Sequence, residues 1–395
     1  MLGRATPTLL LLLAGCATVP QTPAPGAGNY AWASFDRGGI TASGAEGLAD
    51  RAANRPLTID DPVRIASISK LIVALGVMRL VEQGKLDLDG DVSDPLGWRL
   101  RNPAFPERPI SLRLLLSHRS SLTDDAEYVI PLGGTAEAWV QQPRVFDAEH
   151  PPGTYFRYSN LNFPVIATAM ERATGERFDL LMQRLVLSPL RLSACFNWTT
   201  CDEAAVARAV VLYSPEGEAV RDDLKGERPA CPVAPAAGGS CDWQAYRPGT
   251  NGGLFSPQGG LRISIADLAR IGRLLLRDGR LEDGTPFLSP TSLLELTRPG
   301  WRFDGGNGET DSGFYCGYGL AVQTLAQCPP GDDPFGDGRA RIGHAGEAYG
   351  LRSGLWVDPK SGTGIAYFAT GVAEDAPRGR SAFRAVEEWL AAKAR

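Results

Sequence analysis

The 395-residue chain carries 40 Lys+Arg against 45 Asp+Glu, a formal net charge of -5, with 43% hydrophobic and 22% charged residues. This is the composition of a globular protein with a sizeable core, and it excludes a disordered or fibrous chain. No dense Lys/Arg block occurs, so nothing offers the clustered basic surface that a nucleic-acid partner needs.

In chain order, Arg4 precedes an apolar stretch, 9–13, too short to span a bilayer as a helix and of the form of a secretory signal. Removal of residues 1–15 is expected. Leu13-Ala14-Gly15-Cys16 resembles the bacterial lipobox, in which the cysteine is acylated and becomes the mature N-terminus; a plain cleaved signal with an incidental Cys16 is the alternative. Residues 16–28 are rich in Pro, Gly and Ala without periodicity, as suits a flexible tether. In that resemblance, Ala17 in place of Asp implies a lipid anchor on the periplasmic side of the outer membrane. The folded domain is expected over 29–395.

Residues 30–36 and 39–45 read as short strands around a Gly-containing turn. From 67 to 83, apolar residues cover more than one face, which predicts a buried helix, and Gly84 is a natural stop for it. Further helices are expected over 112–117, 161–173, 178–187 and 265–277, separated by Pro/Gly-rich loops. After Pro299 the pattern changes to strands, 318–325, 340–344, 350–357 and 364–369, with a closing amphipathic helix over 381–392. Strands at both chain ends predict an α/β fold with a mixed, mainly antiparallel sheet flanked by helices. Its α/β part is expected over about 29–95 and 295–395, and a mainly helical insertion over about 96–294.

Seven cysteines less Cys16 leave an even number, consistent with an oxidising compartment. Cys195-Cys201 and Cys231-Cys241 are close enough in sequence to close short loops, leaving Cys316-Cys328 as the third pair. The third is the least expected, because 317–325 reads as one strand, and an extended strand holds its ends too far apart for a disulfide. Buried free thiols are the alternative. No Cys/His spacing suggests a metal site, and no motif calls for a cofactor.

Three short motifs carry chemistry. Ser67-Ile68-Ser69-Lys70 opens the buried helix, and residues three apart share a helix face, so the Lys70 amine can reach the Ser67 hydroxyl. A lysine can activate a serine only when largely neutral, which burial and a helix N-terminus both favour. Tyr158-Ser159-Asn160 follows a Pro152-Gly153-Thr154 turn. A phenol beside a cationic lysine ionises more easily and suits a general base or proton relay, while Asn160 can orient Lys70 or a substrate carbonyl. His344-Ala345-Gly346 lies on an expected strand, whose edge can donate a backbone N–H to an oxyanion and whose glycine permits close approach. Taken singly, each motif also has a structural explanation.

Together, Ser-x-x-Lys, Tyr-x-Asn and a Lys-Thr-Gly-like triplet in this order resemble the serine β-lactamase and penicillin-binding-protein superfamily. The likeness is nearest its class C β-lactamase, D-alanyl-D-alanine peptidase and β-lactamase-like esterase branch. Leu115-Leu116-Ser117-His118 and Gly259-Gly260-Leu261 are also of that branch's type, and the resemblance runs from about Tyr30 to the C-terminus. It implies that Ser67 forms an acyl-enzyme, that Lys70 and Tyr158 handle its proton, and that Asn160, His344 and Gly346 meet the substrate. It further implies an oxyanion hole from the backbone N–H groups of Ser67 and Glu347, with His118 structural. Two departures stand out: His344-Ala345 replaces the Lys-Thr of the triplet, and Ser120-Ser121 stands where Ser-Gly is common. The first removes the cation and hydroxyl that hold a β-lactam carboxylate. A His there, with an ordinary pKa of about 6.5, would read a carboxylate only as pH falls. The expected activity is therefore hydrolysis of an ester or of a D-amino-acid amide or peptide, on a small molecule or a peptidoglycan-derived peptide. A β-lactamase and a non-catalytic binding module are the alternatives.

Overall fold

The computed structural model describes residues 26–394; the predicted signal, Cys16 and most of the tether lie outside them. Both chain ends build one eight-stranded sheet. Its order is Trp301–Arg302, Gly317–Tyr318, Gln323–Thr324, Ile342–Ala348, Leu351–Asp358, Thr363–Thr370, Asn29–Asp36 and Ile40–Glu46, and every pairing is antiparallel. The N-terminal strand lies against the last one, Tyr30 opposite Ala369 and Phe35 opposite Gly364. The central strand Leu351–Asp358 is buried along its whole length, because helices cover both sheet faces. On one face packs Ile265–Leu276, where Gly272 is so close to Phe35 that a Cβ would enter its ring. On the other packs the closing helix Ala385–Ala391, over a core of Trp356, Tyr367, Phe383 and Leu390. Ile40–Glu46, at the sheet edge, is largely exposed.

The predicted long helix is a 3-10 turn, Ala66–Ile68, running into Ser69–Glu82. Of its fourteen residues, only Arg79, Val81 and Glu82 escape full burial, as an all-round apolar sequence requires, and Gly84 follows it at φ 65. The helices Leu112–Leu116, Asn162–Thr174 and Ile265–Leu276 also lie where the apolar pattern puts them.

The expected strand over 318–325 is instead a tight hairpin. Gly317–Tyr318 turns back through Ala321, at φ 54, into Gln323–Thr324, with Tyr318 opposite Gln323. Folding the strand back brings Cys316 and Cys328 to a Cα–Cα distance of 5.9 Å, inside disulfide range, and they are bonded. Cys195–Cys201 and Cys231–Cys241 are bonded as well.

Candidate active site

Ser67 stands at a strand-to-helix corner. Val63–Arg64 pairs with Leu261–Ile263, and the chain then turns through Ala66 at φ 49 into the helix. A left-handed φ on a residue with a Cβ is a sparsely populated conformation of the sort that gathers at active sites. Ser69 locks it, donating to Ala66 O at 2.7 Å while accepting from Leu261 N at 3.1 Å. One residue on, Lys70 is fully buried, and its Nζ lies 2.9 Å from Ser67 Oγ, 2.8 Å from Asn160 Oδ1 and 2.8 Å from Gln258 O. Burial lowers its pKa from 10.5 to about 7, against the upward pull of Asp124. A neutral amine in this position donates to Asn160 and Gln258 and turns its lone pair to the Ser67 hydroxyl.

Asp124 holds the second motif in place. Its carboxylate accepts from Ser159 Oγ at 2.9 Å, Asn160 N at 2.8 Å, Asn160 Nδ2 at 2.9 Å and Leu161 N at 3.1 Å. Because Asn160 Nδ2 is committed to Asp124, Asn160 Oδ1 is the atom that faces Lys70. Sequence reasoning missed Asp124. Its signal was its place just after Ser120-Ser121, in the loop motif.

Tyr158 lies over Lys70, whose Nζ is 4.9 Å from the ring centroid, and is stacked between His118 at 4.3 Å and Tyr315 at 4.9 Å. Its hydroxyl is buried and makes no hydrogen bond of ordinary geometry. Burial raises its pKa, only partly offset by the Ser67 hydroxyl, so the resting group is a neutral phenol. The expected easier ionisation of a phenol beside a cationic lysine is not what the surroundings favour, because desolvation is the largest influence on Tyr158. His118 supports the Tyr158-Ser159-Asn160 turn: its Nδ1 takes the Ser159 N–H at 3.1 Å and lies 3.1 Å from Asn162 Nδ2. Beside it, Ser121 sits at φ 66, which accounts for the glycine common there, and its Oγ accepts from Asn102 Nδ2 at 3.0 Å.

The third motif lies on Ile342–Ala348, which pairs with Gln323–Thr324 only through Ile342 and Gly343. Gly346 packs against the nucleophile corner so tightly that a Cβ would strike Ile65 O and Ser353 Oγ and lie 3.2 Å from Ser67 N. Glu347 stands opposite Arg352 and is ion-paired with it.

The His344 expectation needs correction. Its side chain is buried and outside the cleft lining, with Nε2 2.7 Å from the Tyr318 hydroxyl and Nδ1 2.5 Å from Ala345 O. Burial, and then the charge of Lys70, lower its pKa to about 3. Hence His344 is neutral across the physiological range and is not placed to bind a substrate carboxylate. Alternation along the strand turns it inward behind Tyr158, at 6.2 Å between ring centroids.

Ser67, Tyr158, Asn160, Ala345, Gly346 and Glu347 all line one cleft of about 500 Å³. Tyr315, Arg64 and Tyr349 line it too, and none of the three motifs includes them.

A serine hydroxyl on a buried, near-neutral lysine, with a tyrosine beside it on an α/β scaffold, defines a serine hydrolase. The chain belongs to the β-lactamase family, whose model matches residues 18–387. It is 27% identical over 334 residues to penicillin-binding protein 4 of Amycolatopsis lactamdurans, covering 83% of this chain and 77% of that protein. It is 32% identical over 198 residues to esterase EstB of Burkholderia gladioli, covering 46% of this chain and 50% of the esterase. Among solved structures, the D-amino acid amidase of Ochrobactrum anthropi SV3 shares the fold, with a TM-score of 0.66 at 19% identity, covering 93% of each chain.

Proposed function

We propose that this enzyme hydrolyses an ester or a D-amino-acid amide or peptide bond through an acyl-enzyme on Ser67. The observation that carries the reading is the fully buried Lys70 amine, held 2.9 Å from Ser67 Oγ with its other contacts taken by Asn160 and Gln258. Neutral Lys70 takes the serine proton as Oγ attacks the carbonyl, and the backbone N–H groups of Ser67 and Glu347 receive the oxyanion. Lys70 then returns the proton, through the Tyr158 hydroxyl, to the leaving alcohol or amine. Water enters by the same steps reversed. Kinship with an esterase and a penicillin-binding protein, and the shared fold of a D-amino acid amidase, support both substrate classes. The protein acts at the periplasmic face of the outer membrane, tethered through acylated Cys16, a reading that rests on the lipobox-like Leu13-Ala14-Gly15-Cys16.

The test is one panel of substrates for the purified domain: p-nitrophenyl butyrate, D-phenylalanine amide, a D-alanyl-D-alanine peptide and a chromogenic cephalosporin. Turnover of the first three above the cephalosporin is expected. Preferential cephalosporin turnover would make the protein a β-lactamase, and none at all, with no acylation of Ser67, would leave a binding module.

A further inference from the structure

Arg64 is a second chemical feature of the cleft that the acyl-transfer machinery does not use. It is 6% exposed and lines the same cavity as Ser67, three residues upstream on the short strand Val63–Arg64. Buried arginines are ordinarily paired. Arg64 is not: its guanidinium makes no hydrogen bond or ion pair among the described residues, and its Nε and Nη1 are buried without a partner. Its one aromatic contact is the ring of Tyr349, 5.1 Å away. The neighbouring acid, Asp222, is bonded to Arg262, the residue opposite Arg64 in the strand pair, at 2.7 Å, and also to Trp198. Arg221 lies 5.4 Å from the centroid of the same Tyr349 ring and adds another positive charge. Of Arg64, Arg221 and Arg262, Arg64 alone lines the cleft, and the nearby carboxylates are committed elsewhere, Asp222 to Arg262 and Glu347 to Arg352.

The position of Arg64 says which part of a substrate it would meet. Tyr158, the route of the proton to the leaving group, stands by His344 at one end of the strand that borders the cleft. Tyr349, with Arg64 upon it, follows the far end of that strand, five residues on and roughly 15 Å away at the rise of a strand. The leaving group lies at the Tyr158 end, so the acyl portion points to Arg64.

We infer that Arg64 is a recognition residue for a carboxylate on the acyl side of the substrate, and that the enzyme prefers acyl groups ending in an anion to neutral ones of equal length. The inference rests on the acyl-enzyme reading above and names the substrate class within it. A guanidinium is suited to this task because Nη2, the nitrogen of Arg64 that is not closed off, can donate a charge-assisted hydrogen bond to a carboxylate.

The experiment compares p-nitrophenyl hydrogen adipate with p-nitrophenyl hexanoate, which differ only in a terminal carboxylate against a methyl group. Wild-type kcat/KM should favour the adipate ester by roughly tenfold or more, mainly through KM, as befits a charge-assisted hydrogen bond. In Arg64→Gln the ratio of the two should fall toward one, and Arg64→Lys should recover part of it. A wild-type ratio of one or below overturns the inference without recourse to any variant. Equal losses on both esters in Arg64→Gln also overturn it, leaving Arg64 as a structural counter-ion to Asp222. Hexanoate turnover and fluorophosphonate labelling report on Ser67 chemistry alone, so their absence in the wild type would strike the proposed function, whereas the ester ratio strikes Arg64.

Discussion

At the scale of single residues, the site is organised by the competition between burial and charge at Lys70. A pKa near 7 means that the neutral amine grows as pH rises, so kcat/KM on a neutral ester should climb through about pH 7 and level off above it. Asp124 stabilises the ammonium, so Asp124→Asn should move that rise to lower pH while also lowering kcat, because the Tyr158-Ser159-Asn160 turn loses its acceptor. A pH–rate profile of both proteins checks the sign; an unmoved profile would reduce Asp124 to a purely structural role. Ser67→Ala should abolish fluorophosphonate labelling and lower hydrolysis by several orders of magnitude, and Lys70→Ala should be nearly as damaging. The double variant should be little worse than either single one, since the pair acts as a unit.

His344 yields a stability prediction in place of a specificity one. Its folded-state pKa, about 3, lies below the ordinary 6.5, so under acid conditions the unfolded chain binds a proton that the folded one refuses. Its contribution is complete above about pH 6.5 and is lost as pH falls toward 3. His344→Gln should therefore show a smaller drop in urea midpoint than the wild type between about pH 6.5 and 4. Parallel curves would remove His344 from the acid sensitivity of the fold. His344→Lys, far from restoring β-lactam recognition, should destabilise the protein by burying an unpaired charge.

At the scale of elements, the strand Ile342–Ala348 and the corner around Ser67 are fitted to each other without slack. Gly346→Ala would push Ile65 and the nucleophile apart, so a loss of activity of roughly a hundredfold or more is expected, the size seen when an oxyanion donor is removed. Circular dichroism on the same sample separates this from unfolding; full activity would show that the corner can yield. The hairpin between Cys316 and Cys328 carries Tyr315 against Tyr158 and Tyr318 against His344. Removing that disulfide with Cys316→Ser and Cys328→Ser should lower Tm and kcat together, because the hairpin is also the back wall behind Tyr158.

At the scale of the whole molecule, the pairing of the two chain ends places the first described strand beside the last one within an open sheet. Cys16 lies outside the described residues that build the sheet. Cys16→Ser should yield protein that no longer partitions into detergent yet keeps its kcat, and a mature N-terminus away from residue 16 would discard the lipobox reading.

Short as it is, the turn within 317–325 was not legible in the chain, but the Ser67/Lys70 spacing, the buried helix behind it, the strands at both ends and two short cysteine loops were. These depend on separations of a few residues and on apolar period, which a chain displays openly. Only the tertiary structure decided the rest, because it depends on which groups are desolvated and which face each other across long separations. Asp124 beneath Asn160, the Gln258 carbonyl on Lys70 and the hairpin that joins Cys316 to Cys328 are contacts made by folding. The depth of burial that leaves Lys70 near neutral, Tyr158 protonated and His344 uncharged follows from the same cause: motif residues take their charge states from surroundings that no linear pattern records.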